Sequence, residues 1–395
     1  MSPTAPAHLP FEQDHPLRPA RLLRDLQARG PIHAIRTALG HPAWLVTGYE
    51  EVRRLLDDDR LGRSHREPES ASRTGESALF GGPLGDFDTE QADHRRMRAL
   101  LQPHFSPRRM RALRGRVETL TTGLLDELAA TGPPADLHAA LALPLPIAVI
   151  CELLGVPYDD RAQFRAWTQA AGDLTDRARS EQGLAELFTY GRKLMARKRA
   201  EGDPDADVIS RLAATPGVSD DEAAAMGMFL LFAGHETTVA AIDEGALWLL
   251  ANPQQWQALM EDPSRIDAAV EEILRAPGQG GGGIPRYARA DLEIAGVPVR
   301  AGDLVLLDTG AANHDAAVFT DPDRFDIDRP AVPHLSFGHG ARYCIGAPLA
   351  RIELRVAFSR LIARFPTLTL ECAPEELTFN ANVLTGGLTA LPVSW

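Results

Sequence analysis

The residues best suited to chemistry surround a single cysteine near the end of the chain. Cys344 lies in the run Phe337-Gly-His-Gly-Ala-Arg-Tyr-Cys-Ile-Gly346, and glycine permits positive φ and close approach of the backbone to a ligand. Apolar residues recur at helical spacing from Leu349 to Ile362. We therefore expect Cys344 at a helix N-terminus, where free N–H groups and the helix dipole favour the thiolate. A thiolate held in a turn can ligate a metal ion, although an isolated cysteine is more commonly a packing residue.

A second candidate is the apolar segment 226–239, in which polar residues interrupt the hydrophobic run. Gly234 is followed there by His235-Glu-Thr-Thr238. Glycine inside a helix costs about 1 kcal/mol relative to alanine, and consecutive polar residues in an apolar helix call for a compensating role. The segment is either a kinked core helix whose threonine bonds locally or a helix that carries functional groups.

Charged residues at helical spacing form two further candidate pairs. His94 and Arg98 are four residues apart, and Glu272 and Arg275 are three apart, so the members of each pair share a helix face. Taken alone, both patterns are typical of a solvated face, where such a pair contributes only about 0.2–0.5 kcal/mol.

The run around Cys344 matches the pattern Phe-Gly-x-Gly-x-(His/Arg)-x-Cys-x-Gly at every fixed position, and it thereby resembles the haem-ligand loop of the cytochrome P-450 family. The resemblance implies haem b with Cys344 as the axial iron ligand, whose thiolate favours O–O cleavage. It also implies four partners for the haem propionates, which need cationic donors when partly buried. The implied haem-binding residues are His94, Arg98, Ala233, Gly234, Arg286, Phe337, Gly338, Arg342, Cys344 and Gly346.

The segment Ala233 to Thr238 matches the family signature (Ala/Gly)-Gly-x-(Asp/Glu)-Thr-Thr. By this resemblance, Ala233 and Gly234 leave room over the haem for dioxygen. Thr237 hydrogen-bonds the activated oxygen and Glu236 relays protons inward, so Thr237 and Glu236 are the predicted catalytic residues. O–O cleavage needs two protons at the outer oxygen while bulk water stays out. His235 is interpreted as a structural or solvent-side residue.

Glu272 and Arg275 match the family's Glu-x-x-Arg motif, a buried pair that supports the Cys loop. Pro322-Asp-Arg-Phe325 resembles the segment that supplies a third member, for which we predict Arg324. The resemblance places the substrate pocket at the 65–90 loop and at Phe229, Phe232, Ala233, Gly283, Ile284, Leu384 and Thr385. Four consecutive glycines, 280–283, depart from the bulkier residues often found there; they indicate added room, a mobile wall or a simple loop.

Composition excludes several classes of protein. The chain has 395 residues and a net charge of −13, which argues against nucleic-acid binding because no basic excess is present for phosphates. Its three cysteines form no paired framework, which fits a reducing cytoplasm. We see no targeting or membrane segment, since the longest uncharged apolar run, 139–151, is short and contains prolines.

The pattern along the chain predicts a mainly α protein with small β-sheets. Residues 22–28 and 49–56 read as helices on either side of a hairpin over 32–46, and short strands follow at 286–307 and 368–395. The long stretch 61–90 lacks periodicity, which indicates function or mobility. The remaining predicted helices are 92–101, 107–131, 136–154, 159–172, 181–200, 206–213, 219–250, 254–260 and 264–276. With the resemblance, this predicts a single-domain cytochrome P-450 fold over 1–395, with haem between the long central helix and the Cys loop.

The resemblance implies a cytoplasmic haem-thiolate monooxygenase that hydroxylates or epoxidises a small organic substrate, in secondary-metabolite biosynthesis. The alternative is oxidative C–C or C–O coupling without oxygen insertion. A haem-thiolate carrier without turnover is disfavoured by the Glu236-Thr237 pair, and a cysteine hydrolase lacks an identifiable base. The chain has no flavin or iron–sulfur motif, so NAD(P)H-derived electrons would arrive through ferredoxin reductase and ferredoxin. A basic patch for ferredoxin is predicted at Arg108, Arg109, Arg342, Arg351 and Arg355.

Overall fold

The structure is a computed structural model that describes residues 6–13, 15–277, 282–380 and 387–395. The described residues are mainly helical, as the periodicity predicts. The α-helices are α1 (Arg21–Arg29), α2 (Tyr49–Leu56), α3 (Glu90–Leu101), α4 (Pro107–Thr131), α5 (Pro144–Leu154), α6 (Arg161–Ala171), α7 (Arg177–Glu201), α8 (Val208–Ala214), α9 (Asp220–Ala251), α10 (Pro253–Glu261), α11 (Ile266–Arg275), α12 (Thr309–Asn313) and α13 (Ala347–Arg364).

Short strands form three small sheets. The largest has the order β1-β2-β3-β9-β6-β4, the second has the order β10-β11-β5, and β7 pairs with β8. The strands are β1 (Ala7–His8), β2 (Ile32–Arg36), β3 (Pro42–Val46), β4 (Leu61–Gly62), β5 (Ala135–Asp136), β6 (Ile284–Ala288), β7 (Leu292–Ile294), β8 (Val297–Val299), β9 (Leu304–Leu307), β10 (Thr369–Leu370) and β11 (Pro392–Ser394).

The chain divides into two compact units. Unit 1 comprises Met1–His94 and Ala268–Cys344, and unit 2 comprises Arg95–Asp267 and Ile345–Trp395. The boundary falls within α3 and again directly after Cys344. The organisation into a single domain therefore stays a prediction.

Unit 1 is built on the six-stranded sheet. Its strand β6 lies between β9 and β4 and pairs antiparallel with both, with Arg286 opposite Val305. Val46 of β3 and Val305 and Leu307 of β9 are fully buried in one core cluster with the apolar face of α2. Burying each such side chain stabilises the fold by about 1.5–3 kcal/mol. This packing fixes β6, and with β6 the position of Arg286.

Unit 2 is organised around α9, which packs against α5, α7, α8 and α13. The helix begins at a true cap, because Ser219 Oγ accepts a hydrogen bond from Glu222 N, and three acidic residues in the first turn complement the helix dipole. Most of its remaining residues are buried, as expected for a helix that is apolar all round.

The same helix is, among the described residues, the one long and apolar enough to cross a membrane by length and composition. However, 61% of its most apolar window is buried inside the protein, which is typical of a core helix.

The predicted helices agree with the observed ones, with one local exception. The predicted helix 136–154 is divided: a π-helical turn, His138–Ala142, precedes α5, which begins at Pro144. Proline has no N–H to donate and tolerates only the first turn of a helix, so the regular α-helix starts there.

Candidate active site

Cys344 closes a turn that is shaped by two glycines. Gly338 and Gly340 have φ of +73° and +67°, a region that disfavours other residues. The Cys344 N–H donates to the Phe337 carbonyl at 2.8 Å, and Tyr343 N donates to Gly340 O at 3.0 Å. The Cys344 side chain is exposed and forms no disulfide. The turn thus presents a sulfur atom on a backbone whose conformation is tightly restricted.

Asp57, which the sequence analysis did not single out, supports this turn. Its Oδ1 accepts a hydrogen bond from Ala341 N at 3.0 Å. A Cβ atom on Gly340 would collide with the Asp57 carboxylate. Glycine is therefore required at position 340 for two reasons: the positive φ of this residue and the closeness of the Asp57 side chain. Gly346, in contrast, has φ −81°, which any residue adopts.

Among its described residues, unit 1 also contains two cations without a carboxylate partner, the buried Arg286 and the partly buried Arg63. Arg286 is 6% exposed and donates only to the Pro285 carbonyl, at 2.9 Å, while Arg63 donates to Leu79 O at 2.9 Å. Arg63 Nε is buried without a hydrogen-bond partner within the described ranges. Burial, together with the charges of Arg63 and Arg342, lowers the pKa of Arg286 to about 9. In the part of the chain that the structure describes, neither arginine forms an ion pair.

Glu90 is the carboxylate nearest to this group. Its oxygens accept bonds from the N–H groups of Arg63 and Ser64 at 2.8 and 3.0 Å, and from Arg342 Nη2 at 2.6 Å. Arg289 lies 3.3 Å away. Burial acts to raise the pKa of Glu90, but the hydrogen bonds from Ser64 and Arg63 outweigh it and hold this pKa below its ordinary value. Glu90 is thus paired with Arg342 and Arg289. Its charge also favours the charged forms of Arg63 and Arg286, but within the described ranges it forms no ion pair with either.

The predicted Glu-x-x-Arg pair is confirmed in geometry, but its third member is not Arg324. Arg275 donates to both oxygens of Glu272, at 2.7 and 2.9 Å, and both residues are buried. Arg329 Nε lies 3.2 Å from both Glu272 oxygens. Arg324 offers this network only its backbone carbonyl, and its side chain faces Asp326 at 3.5 Å. Arg329 lies five residues after Arg324 in the chain, in a segment without helical structure.

Helix α9 carries one exposed stripe in unit 2. Phe229, Ala233 and Thr237, spaced four apart, are exposed on a helix whose other residues are largely buried. Thr237 Oγ1 donates to the Ala233 carbonyl at 2.9 Å, so its oxygen remains able to accept. The stripe combines a small residue with a hydroxyl, as the sequence predicted for Ala233 and Thr237.

The other predicted residues of α9 point elsewhere. A Cβ on Gly234 would lie 2.9 Å from Ile150 Cδ1 of α5, so the missing side chain at this position serves helix packing. Phe232 is 7% exposed, with its ring 3.5 Å from a Cβ position on Gly172. The expected roles of Gly234 beside haem and of Phe232 in a substrate pocket stay predictions.

The polar residues beside Thr237 are buried. His235 is 1% exposed, and burial, aided by Arg165, lowers its pKa to about 4, so it is neutral and structural. Glu236 has a side chain that is 20% exposed, and burial raises its pKa despite the opposing charges of Arg165 and His138. A carboxyl group of this kind retains a proton nearer to neutral pH than a solvated one.

The remaining predicted residues divide between described and undescribed parts of the chain. Gly283 has φ +63°, and its Cβ position lies 2.9 Å from the Leu307 backbone, so only glycine fits. Ile284 packs at the edge of the unit 1 core. His94 and Arg98 are half-buried, one helical turn apart on α3. Leu384 and Thr385 lie outside the described residues.

Comparison with known proteins identifies the family. A family model described as cytochrome P-450 matches residues 177–389. Pentalenolactone synthase of Streptomyces exfoliatus is 43% identical over 397 residues, covering 98% of each chain. The solved structure of the pimaricin epoxidase PimD is 40% identical, with a TM-score of 0.89 over 99% of this chain and 100% of that one. A solved cytochrome P-450 with biaryl coupling reactivity is 38% identical, with a TM-score of 0.85 over 98% and 99% of the two chains.

The chain therefore belongs to the cytochrome P-450 family, and it has the mainly helical fold of that family. It is a haem-dependent monooxygenase of the bacterial kind that uses dioxygen and acts in secondary metabolism.

Residues of unit 1 fit the haem group. A porphyrin with two propionates is a dianion, and the buried Arg286 and the partly buried Arg63 are two cations that form no ion pair within the described ranges. Uncompensated buried charges are costly, so an anionic ligand is their natural complement. The exposed sulfur of Cys344 is the ligand type that haem iron accepts from this family.

Proposed function

We propose that Cys344 is the thiolate ligand of the haem iron and that the unpaired cations of unit 1 bind the haem propionates. The observation that carries this proposal is that the buried Arg286 and the partly buried Arg63, whose Nε is fully buried, form no ion pair within the described ranges. When bound, the haem supplies the one-electron and dioxygen chemistry. The protein supplies the ligand, the counter-charges, the protons and a site closed to bulk water.

Four predicted residues complete this haem site in the proposal. His94 and Arg98 add two donors from α3, and Arg342 offers the propionates the N–H groups that Glu90 does not use. Phe337 packs at a tilt against Tyr343, with ring centroids 6.3 Å apart, and forms a wall beside Cys344. Gly338 allows the turn, while Gly346 and Gly234 contribute no requirement of their own beyond the packing described above.

Thr237 and Glu236 divide the proton chemistry in this proposal. Thr237 Oγ1 donates its hydrogen bond to the Ala233 carbonyl of the same helix. Its oxygen is then free to accept a hydrogen bond from the exposed side of the stripe, where the reaction is proposed to take place. Burial raises the pKa of the Glu236 carboxyl group, which favours the protonated form that can act as a proton donor. Thr237→Ala should divert reducing equivalents into hydrogen peroxide, whereas Thr238→Ala, whose hydroxyl bonds the Gly234 carbonyl, should not. Equal peroxide yields from the two variants would contradict this role for Thr237.

We propose oxygen insertion, as hydroxylation or epoxidation, into a small secondary metabolite that contacts Phe229 and Ala233 of unit 2. The exposure of Phe229 and Ala233 supports this contact. Oxidative coupling is the second candidate, because a relative with biaryl coupling reactivity covers almost the whole chain. Candidate molecules are screened for a spectral shift of the haem, and product mass is then measured under labelled dioxygen. A mass gain of one labelled oxygen supports insertion, and no gain supports coupling.

Electrons are proposed to reach this cytoplasmic enzyme from NAD(P)H through ferredoxin reductase and ferredoxin. The predicted docking patch is partly neutralised, since Arg342 bonds Glu90 and Arg355 Nε lies 2.5 Å from Asp267. Arg108 and Arg109 are exposed and remain the strongest docking candidates. Arg109→Glu should lower the rate of reduction by ferredoxin most at low salt, as electrostatic steering requires. A rate that is independent of both the substitution and the salt would remove this patch from the proposal.

The decisive experiment addresses the metal ligand. Cys344→Ala should abolish the thiolate-type carbon monoxide band of the reduced protein, because no other group would supply the thiolate. Cys372→Ala is the matched control and should leave the band intact. A band that persists in Cys344→Ala would overturn the assignment.

A further inference from the structure

Helix α9 contains a second buried carboxylate, for which its packing gives no reason. Asp243 has a side chain that is 0% exposed, and Ala240, Ile242 and Ala246 around it are apolar. Its Oδ2 lies 2.8 Å from Nδ1 of His138, at the start of the π-helical turn. Burying an ion pair costs several kcal/mol per ion, so an apolar residue would serve packing better. π-helical turns occur often at functional sites, which directs attention to this pair.

The position of Asp243 relates it to Glu236. The two residues are seven apart, which is almost two helical turns, so they lie on the same face of α9 about 10 Å apart along its axis. The carboxyl group of the proposed catalytic acid and the His138–Asp243 pair therefore occupy one side of the helix. The exposed stripe with Thr237 lies on a different side, since residue 237 is rotated by about 100° from residue 236.

Buried polar atoms without partners cluster on this side. Within the described ranges, Glu236 Oε1, Asp243 Oδ1 and Arg165 Nε are buried and form no hydrogen bond. Buried polar atoms are normally satisfied by protein groups or by ordered water that makes two to four hydrogen bonds. A site with three such atoms on neighbouring elements is polar enough to hold water.

We propose that ordered water joins Asp243 Oδ1 to Glu236 Oε1, and that the His138–Asp243 pair delivers protons from the surface to Glu236. His138 is the outer member, because its side chain is 13% exposed while that of Asp243 is fully buried. After Glu236 has donated its proton, one proton leaves the His138 imidazolium at Nδ1 for the Asp243 carboxylate, one passes from Asp243 to the water, and the water gives one to the Glu236 carboxylate. Solvent then restores the imidazolium, so each passage moves one proton and no electron. This role rests on the proposed function of Glu236.

The charged groups around the path suit this transfer. His138 faces Asp243 from α9, Asp136 from β5 and Arg165 from α6, while Glu236 faces Arg165, His138 and the neutral His235. The hydrogen bond between His138 and Asp243 raises the pKa of His138, although burial acts to lower it. Burial raises the pKa of Asp243 to about 6, against the effect of His138. Both shifts favour the protonated forms of His138 and Asp243, so the pair can hold a proton for transfer.

The test compares two ways of driving the haem-loaded, full-length protein. In the first, NADPH, plant ferredoxin and its reductase drive dioxygen reduction, which consumes protons. In the second, hydrogen peroxide drives guaiacol oxidation and brings its own protons. Asp243→Asn and His138→Gln should slow the first reaction about tenfold or more and raise its solvent deuterium isotope effect. Both variants should leave the second reaction within about twofold of the parent.

Glu353→Gln is the matched control, because Glu353 is a fully buried acid of unit 2 that lies on α13, outside the group formed by His138, Asp243 and Glu236. It should leave both rates and the isotope effect unchanged. Equal losses in the two assays, or no loss in either, would overturn the relay and leave His138–Asp243 as a structural clamp. Should Asp243→Asn fail to fold, His138→Gln decides alone. The carbon monoxide band is recorded for every variant, so a failure of the haem-thiolate assignment is distinguished from a failure of the relay.

Discussion

The Cys344 turn of unit 1 and the exposed stripe of α9 in unit 2 position their chemistry in different ways. The turn depends on positive φ at two glycines and on side chains, such as Asp57, that bond its backbone. The stripe depends only on helical periodicity, which places Ala233 and Thr237 one turn apart. A turn of this kind has few tolerated sequences, whereas a long buried helix tolerates many. We therefore expect substitutions at the turn of unit 1 to destabilise the fold, and substitutions along the stripe of unit 2 to affect the reaction.

The largest effect is expected from the buried ion pair of unit 1. Arg275→Leu leaves Glu272 buried and without its main partner, which should cost about 3–5 kcal/mol in the free energy of unfolding. Urea denaturation measures this cost. Arg324→Leu is the matched control and should cost less than about 0.5 kcal/mol, because its side chain is 65% exposed. Similar costs for both variants would restore Arg324 as the third member in place of Arg329.

The two glycines of the Cys344 turn, Gly338 and Gly340, should differ in how strongly a substitution by alanine affects the turn. Gly338→Ala suffers only the left-handed conformation, about 1–2 kcal/mol, whereas Gly340→Ala also meets Asp57. Gly340→Ala should therefore reduce the thiolate-type carbon monoxide band more than Gly338→Ala does. Adding Asp57→Ala to Gly340→Ala should restore part of the band. If the double variant is no better than the single one, the contact with Asp57 is not the cause.

A glycine-to-alanine substitution in α9 of unit 2, Gly234→Ala, should have only a mild effect on stability. Gly234→Ala gains about 1 kcal/mol of helix propensity and loses about 1–3 kcal/mol through contact with Ile150. Ile150→Val removes the nearest atom, so the double variant should be at least as stable as the parent in thermal unfolding. A double variant that remains destabilised would show that Gly234 serves something other than the packing of α9 on α5.

The smallest effect concerns pH, and the two units should respond with opposite sign. The pKa of Glu90 is lowered, so its stabilisation is present above its unfolded pKa of about 4.3 and is lost as pH falls. Burial raises the pKa of Glu244 to about 8, so its ionisation destabilises the fold as pH rises towards 8. Glu90→Gln should therefore cost more at pH 7 than at pH 4, while Glu244→Gln should gain on the parent between pH 5 and pH 8. Denaturation at each pH measures both, and slopes of equal sign would contradict the comparison.

Periodicity predicted the helices well because each depends on residues within a few turns. The bounds of α2 and α4 agree with the predicted 49–56 and 107–131 to the residue. The division near His138 was missed, since a π-helical turn leaves no mark in hydrophobic spacing. For the candidate site, motif matching found Cys344 and Thr237 but not the residues that support them.

Asp57, Arg63, Glu90 and Arg329 escaped the sequence analysis for one reason. Arg342 and Glu90 are 252 residues apart in the chain, and Arg329 and Glu272 are 57 apart. Such pairings arise only when distant strands and turns pack together, and the spacing of residues within a short segment does not predict them. The distribution of charged residues along the sequence also does not predict which cations become buried.

By itself the sequence determined the family, the Cys344 turn with its glycines, and the long apolar helix that carries Glu236 and Thr237, because these depend on local conformation and on side-chain type. Only the tertiary structure decided that Arg63 and Arg286 lie in unit 1 without forming an ion pair among the described residues, that Gly234 faces α5, and that His138 contacts Asp243. Burial and long-range pairing set the energy of every charged group, and both are properties of the packed chain.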